Sequence, residues 1–400
     1  MNNLVKTDLS KICSKVTDGT HDSPKILKKG VPFIKGKHLI SGQIDFDNCD
    51  YISLDDHEKV IQRSKVEKGD ILFSNIGSVG ASAYVKTEKE FSIKNVALFK
   101  PNKELIDNRY LYYIITSPMF IKGLLNKKQG VAQPFLSLKL LRNHEFYYFE
   151  KIKYQKKIAS VLLAYDKLIE NNTRRIEVLE EMAQRIYKEW FINQELEERG
   201  ILEIPYFTFL KQNIKKFDGF KRYYATADVE GTNFVKEGVY CDYKNKPSRA
   251  QKKPIINSVW FARMKDSYKI AAFTKANAFQ AENSMLSSGF AGFSSKDIHF
   301  GFLYSTISSK VFDNLKNLYA TGATQISLNN DGLSKIYVPY PNEEKVLEFC
   351  NIVNPIIDKS ILLKNINKIL IETRDYLLPK IISGKVDVSD LDIDTSILDD

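Results

Sequence analysis

Cysteine is scarce in this chain, and Cys13, Cys49, Cys241 and Cys350 never fall in a CxxC spacing. Neither a disulfide framework nor a thiolate zinc site is signalled, and buried thiols are expected. No stretch approaches the roughly 18 apolar residues of a membrane span. The start, MNNLVKTDLSKIC, has no apolar run of signal-peptide length, so the expectation is a cytoplasmic chain with no membrane partner. Pro-Pro never occurs, which removes the Asn/Asp-Pro-Pro-aromatic stretch an amino-methyltransferase needs. GVPFIKGKH misses the glycine spacing and final hydroxyl of a P-loop, HExxH is missing, and the five histidines are dispersed. A divalent-metal nuclease core of scattered Asp, Glu and Lys is the enzymatic reading left open, because its signature is short and degenerate.

What is present is globular. The 400 residues exceed one ordinary core and suggest two or three domains. Hydrophobic residues at 43% and aromatics at 12% argue against disorder. The net charge is +10, yet the last fourteen residues, DVSDLDIDTSILDD, hold six Asp and no Lys or Arg, so residues 1–386 carry +16. A body that basic favours polyanions through phosphate contacts and counterion release. On charge alone, solvated lysine explains it equally well.

Glycine and proline are also absent from Gln155 to Phe191. Within that stretch Ile158, Leu162, Tyr165, Ile169, Asn172, Ile176, Leu179, Ala183, Ile186 and Trp190 recur in steps of four and three. This is a coiled-coil seam with one asparagine in it, a known means of fixing register. The helix would span roughly 55 Å at 1.5 Å per residue. A second seam follows Phe349, Ile356, Leu363, Leu370 and Leu377 every seven residues, with Ile352 and Ile366 three positions after a member. Pro355 should open this helix at its first turn or kink it, and Pro379 and Gly384 should end it.

Laying one seam over the other exposes a longer period. LYYIITSPMF from Leu111 matches LYSTISSKVF from Leu303, GVAQPFL from Gly130 matches GATQISL from Gly322, and Asp166 falls on Asp358, all at an offset of 192. Short Val/Ile/Phe/Tyr runs broken by Gly, Asn and Asp fill the remainder of each repeat and favour mixed α/β structure with β prominent. The expected fold is α/β of the α+β kind: two similar globular heads, two long antiparallel coiled-coil helices separating them, and a pseudo-twofold internal repeat. The expected boundaries are heads at 1–150 and 194–342, helices at 151–193 and 343–386, and an acidic tail at 387–400. A DNA turn advances about 34 Å, so two heads some 50 Å apart could visit two major-groove segments separated by an unread stretch.

In order along the chain, TDGTHDSP from Thr17, VPFIKGKHL from Val31, KGDILFSNIGSVG from Lys68, the helix from Gln155 to Phe191, and RDYLLPKIISGKVDVSDL from Arg374 resemble the specificity subunits of type I restriction-modification enzymes over essentially the whole length. The resemblance implies a non-catalytic, sequence-specific double-stranded-DNA-binding subunit. Each head would read half of a bipartite asymmetric site, and the helices would set the spacing and dock two methyltransferase subunits. Restriction/translocase subunits would complete the complex. No cofactor is expected on this chain; S-adenosylmethionine, ATP and magnesium belong to the partner subunits. The second head lacks TDGTH and the GDIL stretch and has NSVWFARMKDS instead, so the half-sites should differ. The alternatives are a stand-alone metal-dependent DNA-cleaving enzyme and a purely protein-binding coiled-coil scaffold.

Candidate DNA contacts are basic, amide and hydroxyl side chains in loops between strand-like runs, since Arg and Lys suit guanine edges, Asn and Gln suit adenine, and hydroxyls suit bases or phosphates. In the first head they are Thr20, His21, Lys35, Lys37, Ser74, Asn75, Ser78, Lys94, Asn95 and Gln133. Asp18 should brace the TDGTH turn, and Gly77 and Gly80 should serve a tight turn. Gln133 recurs as Gln325, which leaves base contact and loop bracing both open. In the second head NKPSRAQKKP places Lys246, Arg249, Lys252 and Lys253 in a groove-entering or phosphate-gripping loop, with Arg263, Lys275 and Asn277 as further candidates.

Overall fold

The computed structural model describes residues 4–40, 42–126, 135–211, 213–323, 325–388 and 390–398. It divides into two units, Met1–Lys167 with Leu370–Asp400, and Leu168–Ile369. The division falls inside both long helices, Ile152–Tyr187 and Glu343–Ile382.

In the first unit, Cys13–Asp18, Ala97–Pro101, Ile71–Phe73 and Ser82–Tyr84 form an antiparallel sheet in that order. Strand side chains alternate faces, and both faces of this sheet are covered. Ile71, Phe73, Ala97 and Phe99 enter one apolar cluster, whereas Leu72 and Leu98 enter another with Ile34 and Ile93. That is why ILF at 71–73 reads as an unbroken apolar run. A second sheet orders Asp50–Ile52, Val31–Lys35 and Ser92–Lys94, the last two strands parallel. Helices Asn108–Thr116 and Pro118–Asn126 and long-helix residues Ile158, Leu162, Leu378 and Ile381 close the first cluster.

The acidic segment after residue 386 packs on this unit. Val388 is buried, Ile393 and Leu398 are partly buried against the same core, and Lys157 Nζ donates to Leu391 O at 2.6 Å.

The second unit repeats the plan. Thr208–Phe209, Phe290–Ser294, Ser258–Ala262 and Ile270–Phe273 form the antiparallel sheet, and Val239–Cys241, Lys221–Tyr224, Ser284–Ser287 and Ala250–Lys252 the mixed one. Helices Phe300–Ile307 and Lys310–Leu318 stand 192 residues after their counterparts. NSVWFARMKDS supplies the strand equivalent to Ile71–Phe73. Where the first unit pairs Leu72 with Leu98, the second pairs Trp260 with Gly292; a Cβ on Gly292 would lie 2.4 Å from the indole. The glycine makes the room that the larger side chain takes.

Within each unit the long helices run antiparallel. In the second unit Asn172 Nδ2 donates to Asn367 Oδ1 at 3.0 Å, and Asn367 Nδ2 donates to Ile169 O and Thr173 Oγ1, both at 3.2 Å. Two turns along, Lys364 Nζ meets Glu180 Oε1 at 2.5 Å. Burial pushes the Lys364 ammonium below its usual value, against the opposing pull of Glu180. In the first unit Arg374 Nη1 and Tyr113 OH converge on Asp166 at 2.6 and 2.5 Å.

The first-helix positions Ile158, Leu162, Asn172, Ile176 and Ala183 are buried, and Tyr165, Ile169, Leu179, Ile186 and Trp190 half-buried. The second helix differs from its apolar heptad. Its buried seam runs through Val346, Val353, Ser360 and Asn367, with Arg374 and Ile381 continuing the heptad. Phe349 and Leu363 are buried and Ile356, Leu370 and Leu377 half-buried beside it, while Ile352 and Ile366 lie outside, 47% and 36% exposed. Polar residues occupy this half of the seam, so an apolar pattern finds the Phe349 heptad and misplaces its companion at Ile352 and Ile366.

Pro355 neither opens nor breaks this helix. It lies on an exposed face, where water can satisfy the carbonyl that loses its partner. Pro379 does not end it either: the helix continues to Ile382, and Gly384 N–H returns to Ile381 O. The four cysteines are free and buried, and burial pushes the thiols of Cys13 and Cys350 up to about 12 and about 11.

The asparagine pair yields a testable outcome. Asn172→Leu alone deprives Asn367 Oδ1 of its donor and should cost about 1–3 kcal/mol, read from the urea unfolding midpoint. Adding Asn367→Leu should recover most of that loss, giving a coupling term in the double-mutant cycle.

Candidate nucleic-acid interface

The TDGTH segment of the first unit is built around one buried carboxylate. Asp18 ends the strand Cys13–Asp18 and is 4% exposed. A buried carboxylate needs donors, and two exposed side chains supply them: Arg63 Nη2, from the last turn of helix Leu54–Ser64, and His21 Nε2 at 3.0 Å. The other ring nitrogen of His21 lies 2.9 Å from Asn95 Oδ1, and Asn95 holds a left-handed backbone with φ of 52°. Gly19 is required here by space, since a Cβ would stand 2.1 Å from Ile93 O. Thr20 then bridges Lys94 in parallel register, and Lys94 Nζ donates to Ser23 Oγ.

His21 is thus exposed but has both nitrogens engaged, so it orients the loop; its ring has no free polar atom for a base edge. Asp18 braces the turn as the sequence suggests. Thr20 accepts from Asp22 N at 3.0 Å through its hydroxyl.

The other candidates of this head separate by environment. Lys37 and Ser78 are exposed. Ser78 sits between Gly77 and Gly80, whose φ values of 71° and 97° make the expected tight turn. Lys35 is paired with Asp50 at 2.6 Å. Ser74 and Asn75 are not on the surface: both are buried, Ser74 Oγ donating to Ile76 O at 3.1 Å and Asn75 Nδ2 to Leu136 O at 3.1 Å. Their role here is to shape the loop. Gln133 lies outside the described residues.

Sequence reasoning passed over Lys25, Lys28 and Lys29, all exposed on the segment that leaves TDGTHDSP. The signal was available, three lysines in five positions of KILKK. It also passed over Arg63, which nothing in the sequence links to a carboxylate 45 positions earlier.

In the second head NKPSRAQKKP is only partly a loop. Ala250–Lys252 is a strand beside Ser284–Ser287, on the edge that Thr20 takes beside Lys94 in the first head. Lys252 Nζ donates to Asn213 Oδ1 at 3.0 Å and Lys246 Nζ to Ala250 O at 2.8 Å. Burial lowers Lys252 from its usual value. Arg249 and Lys253 remain exposed.

Arg263 and Asn277 turn out to be internal braces. Arg263 donates to Leu328 O at 2.9 Å and Asn330 Oδ1 at 3.1 Å, and burial lowers its guanidinium. Asn277 is buried, accepting from Thr274 N at 2.8 Å and donating to Ala272 O at 3.0 Å. Lys275 is paired with Asp297 at 2.6 Å, and Gln325 is exposed.

Among the described residues no three His, Cys, Asp or Glu side chains gather as a metal-binding group, and no helix is long and apolar enough to cross a membrane.

Comparison with known proteins meets this geometry. The family model described as the type I restriction modification DNA specificity domain matches residues 7–181. The specificity subunit of the type I restriction enzyme MjaIX from Methanocaldococcus jannaschii is 25% identical over 439 residues, covering 96% of this chain and 94% of that one. The HindI specificity subunit of Haemophilus influenzae is 22% identical over 406 residues, covering 81% and 88%. In fold, the crystal structure of the type I restriction-modification S subunit from M. genitalium superposes with a TM-score of 0.58 at 16% identity, covering 95% of this chain and 96% of that one. Residues 7–181 therefore match the type I restriction modification DNA specificity domain, and the resemblance carried by the sequence motifs is borne out: along nearly its whole length the chain is similar to type I specificity subunits.

Proposed function

We infer that this chain is the sequence-specific DNA-binding subunit of a type I restriction-modification complex, each head reading one half of a bipartite, asymmetric site. The observation that carries the reading is one fold present twice with unlike residues at the same sheet edge. The shared framework would dock each head on DNA in the same way. The differing edge, TDGTH in one head and RAQKK in the other, would make the two half-sites differ. Exposed lysines at 25, 28, 29 and 37 suit phosphate, whose contacts position a protein without specifying sequence.

The chain itself acts without catalysis in this reading. Methylation and cleavage are the work of partner subunits, two methyltransferase subunits and the restriction/translocase subunits, which also hold S-adenosylmethionine, ATP and magnesium. The long helices are the docking and spacing elements. In the second unit Leu168, Val178 and Met182 on the first helix, and Ile352, Leu362, Ile366 and Ile369 on the second, are large apolar side chains left exposed, which supports a protein partner covering them. The heads are proposed at 1–150 and 194–342, with the helices and acidic segment as bounded above, in a cytoplasmic complex.

Exchanging residues 1–150 for another recognition domain should change one half of the modified sequence, read by methylation-sensitive sequencing of DNA from cells that also express the methyltransferase subunits. A change in both halves would refute modular reading. Replacing Lys25, Lys28 and Lys29 by Gln should weaken binding uniformly across sequences, and the slope of log K against log salt should fall by about 1 for each phosphate no longer neutralised; an unchanged slope would remove these lysines from the interface.

A further inference from the structure

Arg63 is an exposed guanidinium held by a buried acid. Its side chain is 55% exposed and that of Asp18 6%. One Nη2 hydrogen is used on Asp18, and Nε approaches Thr17 Oγ1 at the long distance of 3.5 Å. Among the described residues Nη1 has no acceptor, so Nη1 and the outer hydrogen of Nη2 form an end-on fork. That fork matches the O6 and N7 acceptors of guanine in the major groove.

Most exposed arginines are long, mobile side chains whose ordering costs binding energy. This one is ordered before any ligand arrives, by a carboxylate that cannot turn away, because Asp18 also receives His21, and His21 is held by Asn95. The cluster stands where Thr20 bridges Lys94, at the edge whose counterpart in the second head is filled by a different sequence, beside a segment with three exposed lysines. We propose that Arg63, oriented by Asp18, is the specificity-determining residue of the first head and reads one guanine of the first half-site.

The proposal rests on the DNA-reading function above. Its test uses the full chain coexpressed with its methyltransferase subunits, the methylated sites being read by sequencing. Wild type should return a two-part motif with at least one G·C pair in the half assigned to the first head. Arg63→Ala should keep the spacing and the second half and admit other base pairs at that one position. Discrimination there should fall by about 5- to 160-fold, the range of one bidentate contact. Asp18→Asn, which keeps the shape and removes the charge, should relax the same position.

An unchanged motif in Arg63→Ala overturns the proposal, as does relaxation spread over both halves. Should Arg63→Ala abolish methylation, Arg63→Lys decides. Lysine keeps the charge but has no fork, so tolerance confined to one G·C position supports base reading, and uniform loss overturns it. A wild-type complex that yields no two-part motif overturns the DNA-reading function itself and is distinguishable from all of these.

Discussion

A helix pair with a wholly apolar seam can slip by a heptad at modest cost, because one leucine replaces another. A seam that carries amides and charges cannot, since every displaced register strands buried polar groups without partners. In the second unit Asn172 meets Asn367 and Glu180 meets Lys364 in one register only. In the first unit Asp166 is held between Arg374 and Tyr113. These contacts also reach the heads. Thr232 donates to Glu180 at 2.9 Å and accepts from Lys364 at 2.8 Å, so the seam fixes the loop as well as the partner helix.

The repeat shows what differs between two copies of one frame. The four-stranded sheet keeps its order in both units, and one pair in its interior differs in a compensated way, Leu72 with Leu98 in one and Trp260 with Gly292 in the other. A close-packed interior allows volume to move between neighbours and little else. The edge beside Ser92–Lys94 and its counterpart Ser284–Ser287 carries unlike sequences in the two units. A backbone bridge closes it, from Thr20, with Gly19 required beside it, in one unit and from Ala250–Lys252 in the other. The two heads therefore differ at the edge, with the frame intact.

Legibility in the sequence followed the same division. The long helices, the repeat and the buried apolar strands were readable because they rest on periodicity and on backbone-level matching over many residues. Half of the second seam escaped because Ser360, Asn367 and Arg374 occupy it, and polarity at helical spacing looks like a solvated face. Ser74, Asn75, Arg263 and Asn277 looked like contact residues because amide and guanidinium groups serve equally as internal braces. Sequence contains the donor but not the acceptor that claims it. Arg63 was invisible for the converse reason: its meaning comes from Asp18, and only the fold brings the two together.

His21 sharpens the distinction between reading and holding. It is the most suggestive residue of TDGTHDSP, exposed and central, yet both ring nitrogens face oxygens of the protein. Its neighbour in space, Arg63, shares the same carboxylate and keeps donors to spare. A buried acid with two claimants divides them by valence: imidazole has two polar atoms and spends both, whereas guanidinium has five hydrogens and spends few. The residue able to carry information outward is the one with donors left after the fold has taken its share. In the first head that residue is the arginine, and the histidine serves to hold the acid that aims it.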